Sequence, residues 1–388
     1  MTEPQVVLTP RGVQRLLSGH YWIYRSDIRS TGDVAPGDTV RLRDERGRFL
    51  GKAWFSTHSQ IALRLVTRED RAIDDAYLAE RLDAAARYRE RVVADTNAYR
   101  LVYGESDGLP SLIVDRYADA LVIQTLSQAT ERRKADIVRL LQSRFQPRAI
   151  VERNDPRVRP LEGLEQQVSV LTGSLEGEVV IEENGVRLAC DLLGGQKTGA
   201  FLDQRENRVA FAAYATGDVL DCFSYTGGFA LHAARHAERV EGIDLSAAAV
   251  AAARRNAELN SAANVSFREA NAFDVLKEYS EAGRRFDAVV LDPPAFAKTK
   301  ANLDAARRGY KEINLRALKL LRPGGILLTC SCSHHVSEAL LLEIIAEAAL
   351  DAHRKVVVVE RRTQSRDHPI LLTLPESHYL KSLILKAE

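Results

Sequence analysis

Apolar and polar positions alternate along the first 68 residues in short runs that turn residues separate. Thr39–Arg43, Phe49–Phe55 and residues 60–66 each have the alternation of a half-buried strand. Glu45-Arg46-Gly47-Arg48 lies between the first two runs and indicates a hairpin turn. The pattern predicts a compact β-barrel-like unit, which is too small to hold large chemistry but is suited to binding.

After residue 68, longer runs with helical spacing appear among the strand-like runs. Residues 72–93 carry apolar side chains at helical spacing, and a second helix is predicted over 131–145. Strand-like runs cover residues 99–103, 111–115, 120–126 and 149–151. Residues 178–190 contain two short runs around Asn184-Gly185, a dipeptide typical of a tight hairpin turn. This stretch predicts a small α+β middle domain followed by a β-hairpin.

From residue 198 onward, strand-like and helix-like runs alternate with short loops. Strands are predicted at residues 218–222, 239–244, 265–269, 288–292 and 325–329. This alternation is typical of a parallel, doubly wound α/β sheet, which binds ligands at the carboxyl ends of its strands. We therefore expect three domains, at residues 1–70, 71–176 and 177–388, and the last includes the hairpin.

Composition narrows the class of protein. Of 388 residues, 45% are hydrophobic and 28% are charged, as in ordinary globular proteins. No apolar stretch is long enough to span a membrane, and the N-terminus has no signal-peptide core. The four cysteines have no disulfide-like spacing, so we expect a cytoplasmic protein.

Charge is distributed unevenly along the chain. Residues 1–68 carry 11 Lys and Arg against 6 Asp and Glu, whereas the remaining residues are slightly acidic. A small basic module favours a polyanionic partner such as nucleic acid. An ordinary solvated surface with a chance bias is the alternative interpretation.

The segment after the first strand of the α/β region points to a cofactor. Residues 221–229 read Asp-Cys-Phe-Ser-Tyr-Thr-Gly-Gly-Phe, and Asp244 ends the next strand. The glycines allow the backbone to approach a ligand closely, and an acidic residue at the end of the second strand can bind ribose hydroxyls. The spacing differs from the G-x-G-x-x-G that holds a pyrophosphate, so a nucleoside without phosphates fits better. An ordinary strand–helix turn is the alternative.

Two later strands end in reactive side chains. Asp292-Pro293-Pro294 follows one apolar run, and its stiff Pro-Pro turn suits a carboxylate that must hold one orientation. Cys330 and Cys332 end the next run, so a thiol and a carboxylate come from neighbouring strand ends. This pairing suggests nucleophilic attack on a polar, electron-poor substrate. A metal site at Cys330, Cys332 and His334 is disfavoured, because the chain has no second Cys/His pair with zinc-like spacing.

These motifs together resemble the class I S-adenosylmethionine-dependent methyltransferases. More closely, they are similar to the family that forms 5-methylcytosine in 23S ribosomal RNA and carries an N-terminal RNA-binding PUA domain. The further matching segments are Gly19-His20-Tyr21-Trp22, residues 104–110, Asp115-Arg116-Tyr117, residues 197–199 and residues 202–205. The resemblance covers essentially the whole chain.

The resemblance implies a Rossmann-like C-terminal domain with a mostly parallel seven-stranded sheet, a PUA β-barrel and S-adenosylmethionine as cofactor. It assigns Cys332 as the nucleophile that adds to cytosine C6, and Asp292 as the group that binds the base edge. The cofactor residues it implies are Asp221, Phe223, Ser224, Tyr225, Thr226, Gly227, Asp244, Leu245, Asn271, Ala272, Asp292, Gln204 and Arg205.

On the same grounds, Pro293 and Pro294 are expected to contact the substrate, together with Arg11, Arg15 and Arg25 at RNA phosphates. The implied partner is 23S ribosomal RNA or a large-subunit assembly intermediate, and a homodimer is possible.

Two alternatives stay open at this point. One is a ribosomal RNA methyltransferase that acts on a guanine nitrogen, N2 or N7. The other is an RNA-binding assembly factor without catalysis. Related RNA enzymes carry a second cysteine directly after the proline that corresponds to Pro294, whereas this chain has Ala295 there. The sequence also shows no lysine close to Cys332 that could activate the thiol.

Overall fold

A computed structural model describes residues 3–297 and 299–388. By contacts between backbone positions, the chain forms two compact units. The first unit contains residues 1–181, 190–202 and 366–377, and the second contains residues 182–189, 203–365 and 378–388. The predicted domain boundaries at 70/71 and 176/177 stay predictions.

The N-terminal part of the first unit is a six-stranded sheet with a short helix, α1. Its strands are β1 (Gln5–Leu8), β2 (Trp22–Tyr24), β3 (Ile28–Thr31), β4 (Thr39–Arg43), β5 (Phe49–Phe55) and β6 (Ile61–Thr67), in the order β2-β6-β5-β4-β1-β3. Helix α1 (Pro10–Leu17) begins with a proline, and Thr9 caps it by accepting from Gly12 N. Side chains on one face of the strands fill an apolar core. Strands β5 and β6, which the sequence predicts to be half-buried, are buried on both faces, because Trp54 and Val66 on their other face join a second apolar core.

The rest of the first unit is built on a second sheet. Its elements are α2 (Asp75–Val92), β7 (Ala98–Tyr103), β8 (Leu112–Tyr117), β9 (Ala120–Thr125), α3 (Gln128–Arg132), α4 (Lys134–Phe145), β10 (Ala149–Asn154), α5 (Val158–Leu161) and β11 (Gln167–Gly173). The strand order is β11-β10-β9-β8-β7. The predicted helix over 131–145 is two helices that meet at Arg133. Strand β11 escapes sequence detection because no residue in it is fully buried.

A short hairpin precedes the α/β region. Its strands are β12 (Val179–Glu183) and β13 (Val186–Cys190), which lie within the predicted stretch of residues 178–190. Asn184 and Gly185 form the turn with φ angles of 48° and 78°. These positive angles explain why an Asn-Gly dipeptide stands here.

The second unit contains the predicted α/β sheet. Its elements are α6 (Arg205–Ala212), β14 (Asp218–Cys222), α7 (Gly228–Ala233), β15 (Arg239–Asp244), α8 (Ala247–Leu259), β16 (Val265–Glu269), α9 (Ala272–Glu281), β17 (Phe286–Leu291), α10 (Leu303–Leu320), β18 (Leu321–Ser331), α11 (Glu338–Asp351), β19 (Val356–Arg362) and β20 (Lys381–Ala387). The strand order is β16-β15-β14-β17-β18-β20-β19.

The topology of this sheet determines where a ligand binds. Strands β14 to β18 pair in parallel, whereas β20 is antiparallel to both of its neighbours. The chain adds strands on one side of β14 and then returns to place β17 on the other side. Ligands of open α/β sheets bind at such a switch point, beyond the carboxyl ends of the strands. The predicted Rossmann-like fold with a mostly parallel seven-stranded sheet is confirmed.

Among the helices of the described residues, none is long and apolar enough to cross a membrane.

Candidate active site

The loop after β14 bends sharply toward β15. Phe223 and Tyr225 have φ angles of 65° and 47°, and Gly227 has a φ of 88°. A side chain at Gly227 would also place its Cβ 2.7 Å from the ring of Phe267. Ser224 N donates to the Ile243 carbonyl oxygen at 2.9 Å, which holds the loop against the neighbouring strand. Both the positive φ and the lack of space for a Cβ therefore favour glycine at position 227.

Asp244, at the end of β15, fixes this loop. Its two carboxylate oxygens accept from Tyr225 N at 2.8 Å and from Ser246 N at 2.9 Å. The side chain is half-buried, while the next residue, Leu245, is largely exposed. The carboxylate thus stands beside the glycine loop, as the sequence spacing predicts.

Asp221 lies beneath the same loop and is almost fully buried. One of its oxygens, Oδ2, accepts from Ala230 N at 3.0 Å, and Oδ1 has no hydrogen-bond partner. Burial raises the pKa of Asp221 well above its ordinary value, and the negative charges of Asp292 and Asp244 add to this shift. Three carboxyl groups at neighbouring strand ends favour a positively charged ligand.

These features fit S-adenosylmethionine, whose sulfonium and ammonium groups are both cationic. The buried Oδ1 of Asp221 is an acceptor without a donor, and Ser224 Oγ also has no partner. Buried polar atoms in folded proteins are normally satisfied, so a bound donor at this loop would complete them.

Asn271 and Ala272 follow β16 at the next strand end. Asn271 is exposed and caps α9, because its side-chain oxygen accepts from Phe273 N at 2.9 Å. Ala272 is buried. The Phe273 ring lies 6.4 Å from Phe223 and 6.0 Å from Phe296, so an aromatic surface connects this strand end to the loop after β17.

Gln204 and Arg205 are both buried at the start of α6. The Gln204 side chain accepts from Asn207 Nδ2 at 2.6 Å and also makes a hydrogen bond to Cys330. Gln204 therefore lies beside the buried cysteine of β18 rather than in solvent.

Cys332 comes directly after β18 and is half-buried, whereas Cys190, Cys222 and Cys330 are buried. Hydroxyl groups fix the residues on either side of it. Ser331 Oγ donates to the Tyr310 hydroxyl at 2.9 Å, and that hydroxyl lies 3.0 Å from Ser333 Oγ. The thiol is thus held at the carboxyl edge of the sheet.

The loop that carries Asp292 is tied to the same cluster. Ala297 N donates to Ser333 Oγ at 3.2 Å, and Pro293 in this loop is buried while Pro294 is exposed. Asp292 itself is half-buried. The structure therefore joins the end of β18 to the loop after β17, which the sequence predicts as neighbours.

Lys381 is a candidate functional residue that the sequence does not reveal. It begins β20 and pairs with Ser331 across the antiparallel ladder. Its Nζ donates to the Ser333 carbonyl oxygen at 2.8 Å and to the Tyr379 carbonyl oxygen at 2.9 Å. Burial lowers the pKa of Lys381 to about 8, and the neighbouring Cys332 opposes that shift.

Cys330 and Cys332 differ in surroundings. Burial raises the pKa of the Cys330 thiol well above its ordinary value, and Asp292 adds to this effect. Strand β18 ends at Ser331, so Cys330, Cys332 and His334 do not share one strand face. Within the described part of the chain, no group of His, Cys, Asp or Glu could hold a metal ion.

The three arginines expected at RNA phosphates have partners inside the N-terminal sheet. Arg11 Nε and Arg15 Nε pair with the buried carboxylate of Asp27 at 2.6 and 2.9 Å. Arg25 donates to two backbone carbonyls, those of Ser56 and Ser59. Arg11 keeps most of its surface exposed. An RNA role for these residues stays a prediction.

Two segments that carry the family resemblance interlock in the first unit. Thr198 Oγ1 donates to Asp115 Oδ2 at 2.7 Å, and the Tyr117 hydroxyl lies 2.9 Å from the same Thr198 oxygen. Arg100 pairs with both oxygens of Asp115 at 2.7 and 2.9 Å. The residues at 115–117 and 197–199 therefore form one buried polar network, which points to a structural role.

Comparison with known proteins agrees with this geometry. A model of the family described as S-adenosylmethionine-dependent methyltransferase matches residues 146–383. The chain belongs to this family. It is therefore an enzyme that uses S-adenosylmethionine as its cofactor. A PUA-like domain model matches residues 6–68, which confirms the predicted N-terminal domain.

Relatives match along the full chain. A protein of Shewanella denitrificans named ribosomal RNA large subunit methyltransferase I is 42% identical over 98% of this chain and 99% of its own length. A Vibrio cholerae protein of the same name is 43% identical over 99% of both chains.

Solved structures agree in fold. A putative methyltransferase from Streptococcus mutans superposes with a TM-score of 0.83 at 21% identity, covering 98% of this chain and 99% of its own. A second putative methyltransferase, solved with SAH, gives a TM-score of 0.84 at 20% identity over the whole of both chains.

Proposed function

We propose that this methyltransferase forms 5-methylcytosine in large-subunit ribosomal RNA through a covalent bond between Cys332 and cytosine C6. The observation that carries the proposal is the placement of Cys332. It is the partly accessible cysteine of the four, and it follows the strand next to the one that leads into Asp292. Methyl transfer to a base nitrogen needs no such thiol.

Three observations support large-subunit RNA as the substrate. The relatives with more than 40% identity are named as methyltransferases of that RNA. The PUA-like domain at residues 6–68 is matched, and the segment 1–68 has an excess of basic residues. The substrate in this proposal is 23S RNA or an assembly intermediate of the large subunit. We also expect the cytoplasm as the compartment. Light scattering would test whether the protein forms a homodimer.

The chemistry explains why a thiol and a carboxylate stand together. Cytosine C5 is a weak nucleophile until a thiolate adds to C6, which gives C5 carbanion character. S-adenosylmethionine supplies the methyl group that C5 takes. The C5 proton then leaves to a base, the sulfur–C6 bond breaks, and the Cys332 thiolate is regenerated. Asp292 would bind the N3/N4 edge of the base, and Pro293 and Pro294 would hold the loop against it.

The cofactor would be held by the loop after β14 and its neighbouring strand ends. In this proposal the backbone of residues 223–227 approaches the methionine part, and Asp221 faces its positive charge. Asp244 would accept from the ribose hydroxyls, with Leu245 beside it, and Asn271 and Ala272 would border the adenine. Gln204 and Arg205 would support the same pocket from α6.

A cysteine variant tests the proposal directly. Cys332→Ala should abolish methyl transfer to large-subunit RNA while S-adenosylmethionine still binds, as measured by calorimetry. The matched control is Cys330→Ala, which removes the adjacent buried thiol and should leave transfer intact. Methyl transfer by Cys332→Ala at the wild-type rate would refute the mechanism.

Nucleoside analysis of the digested product separates the alternatives. The proposal requires 5-methylcytosine that appears with the wild-type protein and not with Cys332→Ala. A methylated guanine would establish the nitrogen-methylating alternative instead. An assembly factor without catalysis would bind RNA but would leave every nucleoside unmodified.

A further inference from the structure

A buried lysine stands next to the proposed nucleophile. Lys381 begins β20, is 4% exposed, and lies opposite Ser331 in the strand ladder. Its Nζ donates to the carbonyl oxygen of Ser333 at 2.8 Å. Lys381 thus pairs with Ser331 and contacts Ser333, the residues directly before and after Cys332. The ammonium group is therefore fixed at the backbone of the residue that follows Cys332.

Burying a charged ammonium is costly unless an opposite charge or several acceptors compensate it. The two acceptors of Lys381 are the neutral carbonyls of Ser333 and Tyr379. The ionisable neighbour that favours its charged form is Cys332. The charged form of a lysine held in this way is stabilised most when the neighbouring sulfur is negative.

Two further ionisable side chains interact with the sulfur, and neither is a cation. Tyr310 from α10 and Cys330 from β18 both interact with Cys332, and burial raises the pKa of each above its ordinary value. Asp292, from the loop after β17, acts on the adjacent Cys330 and would oppose a second negative charge at this edge. His334 is exposed in the turn that follows. A thiolate beside Asp292 therefore needs a fixed cation.

We propose that Lys381 is a positioning residue that holds Cys332 as a thiolate by placing its ammonium group beside the sulfur. The inference rests on the proposed function, because it assigns the charge that prepares Cys332 for attack on cytosine C6. In forming the pair, the sulfur gives its proton to Nζ when the amine is neutral, and to water when Nζ is already protonated. After the sulfur bonds to C6 its negative charge is gone, and elimination restores the ion pair.

The test is the pH dependence of Cys332 alkylation by iodoacetamide, measured without RNA, because the thiolate is the reactive form. In Lys381→Met, the midpoint of the pH–rate profile should rise, and the rate at pH 7 should fall about tenfold for each unit of that rise. Lys381→Arg keeps the charge and should restore most of the rate. Lys386→Met changes an exposed lysine of the same strand and should match wild type. Cys332→Ala gives the background from the buried thiols.

Methyl transfer provides a second measurement. The single-turnover rate of Lys381→Met should be strongly reduced at pH 7 and should approach wild type as the pH rises, since hydroxide then supplies the thiolate. A merely structural role for Lys381 would lower the rate equally at every pH.

The inference is refuted if the alkylation midpoint of folded Lys381→Met equals that of wild type. It can also be refuted without a variant, because the wild-type Cys332 midpoint must lie below the ordinary thiol value of about 8.5. Its failure differs from failure of the proposed function: a wild-type product other than 5-methylcytosine contradicts the latter, while alkylation without RNA reports on the ion pair alone.

Discussion

A buried ion pair behind the cofactor loop gives the sharpest stability prediction. Glu183, the last residue of β12, accepts from Arg208 Nε and Nη2 at 2.7 and 2.8 Å, and both side chains are buried. The Arg208 side chain also fills the space in front of Gly228, where a Cβ would lie 3.0 Å from it. The pair thus connects the hairpin, α6 and the start of α7.

Glu183→Gln removes the negative charge and leaves the Arg208 guanidinium buried. Breaking a buried pair by removing one partner costs about 3–5 kcal/mol. Gln keeps one oxygen that can accept from one of the two Arg208 donors, so we expect the low end, about 3 kcal/mol. For a domain of this size the loss corresponds to a fall in Tm of roughly 6–12 °C.

The cost should depend on pH in a defined direction. Burial by itself raises the pKa of Glu183, but attraction and hydrogen bonds from Arg208 outweigh it and lower the pKa below the ordinary value of 4.5. A lowered carboxyl pKa stabilises the folded state above pH 4.5, and this stabilisation is lost as the pH falls through the folded-state pKa. The difference between wild type and Glu183→Gln should be full at pH 7 and should close only below pH 4.5.

Urea unfolding followed by circular dichroism measures both effects. The matched control is Glu182→Gln, the exposed neighbour in the same strand, which should change stability by less than about 0.5 kcal/mol. Equal midpoints for Glu183→Gln and Glu182→Gln at pH 7 would refute the reasoning. So would a difference that widens as the pH falls below 4.5.

Two further predictions concern the cofactor loop and β15, the strand beside it. Asp244→Ala removes the acceptor for two backbone N–H groups and should weaken S-adenosylmethionine binding by at least about tenfold in calorimetry, whereas Glu269→Ala, at the matching exposed position of β16, should not. Gly242→Ala would place a Cβ 2.4 Å from the Phe267 ring and should cost about 1–3 kcal/mol in urea unfolding. Gly32→Ala, whose Cβ would meet one atom at 3.5 Å, is its control, and equal stabilities would contradict the predicted clash.

Local patterns were sufficient for most of the fold. Strands β4, β5, β14, β15 and β16 have the predicted bounds, because their apolar runs and turn residues are read within a few positions. The loop after β14 and Asp244 could also be predicted, since consecutive parallel strands bring their carboxyl ends together. The same rule placed Asp292 and Cys332 on neighbouring strand ends.

The features that sequence patterns did not reveal depend on contacts between distant residues. Strand β11 has no buried face to produce a periodic signal. The sequence does not reveal that Arg11 and Arg15 both pair with the buried Asp27, and their expected contact with RNA stays a prediction. Residues 366–377 cluster with the first unit although they lie near the end of the chain.

Sequence alone placed two cysteines, a carboxylate and the cofactor loop at strand ends, because each is encoded by a short motif, and the family resemblance selected Cys332 as the nucleophile candidate. Tertiary structure alone placed Lys381 beside Cys332. Lys381 lies near Cys332 because β20 pairs antiparallel with β18, although the two strands are far apart in the sequence. No local spacing records that pairing, and the burial that lowers the pKa of Lys381 exists only in the folded protein.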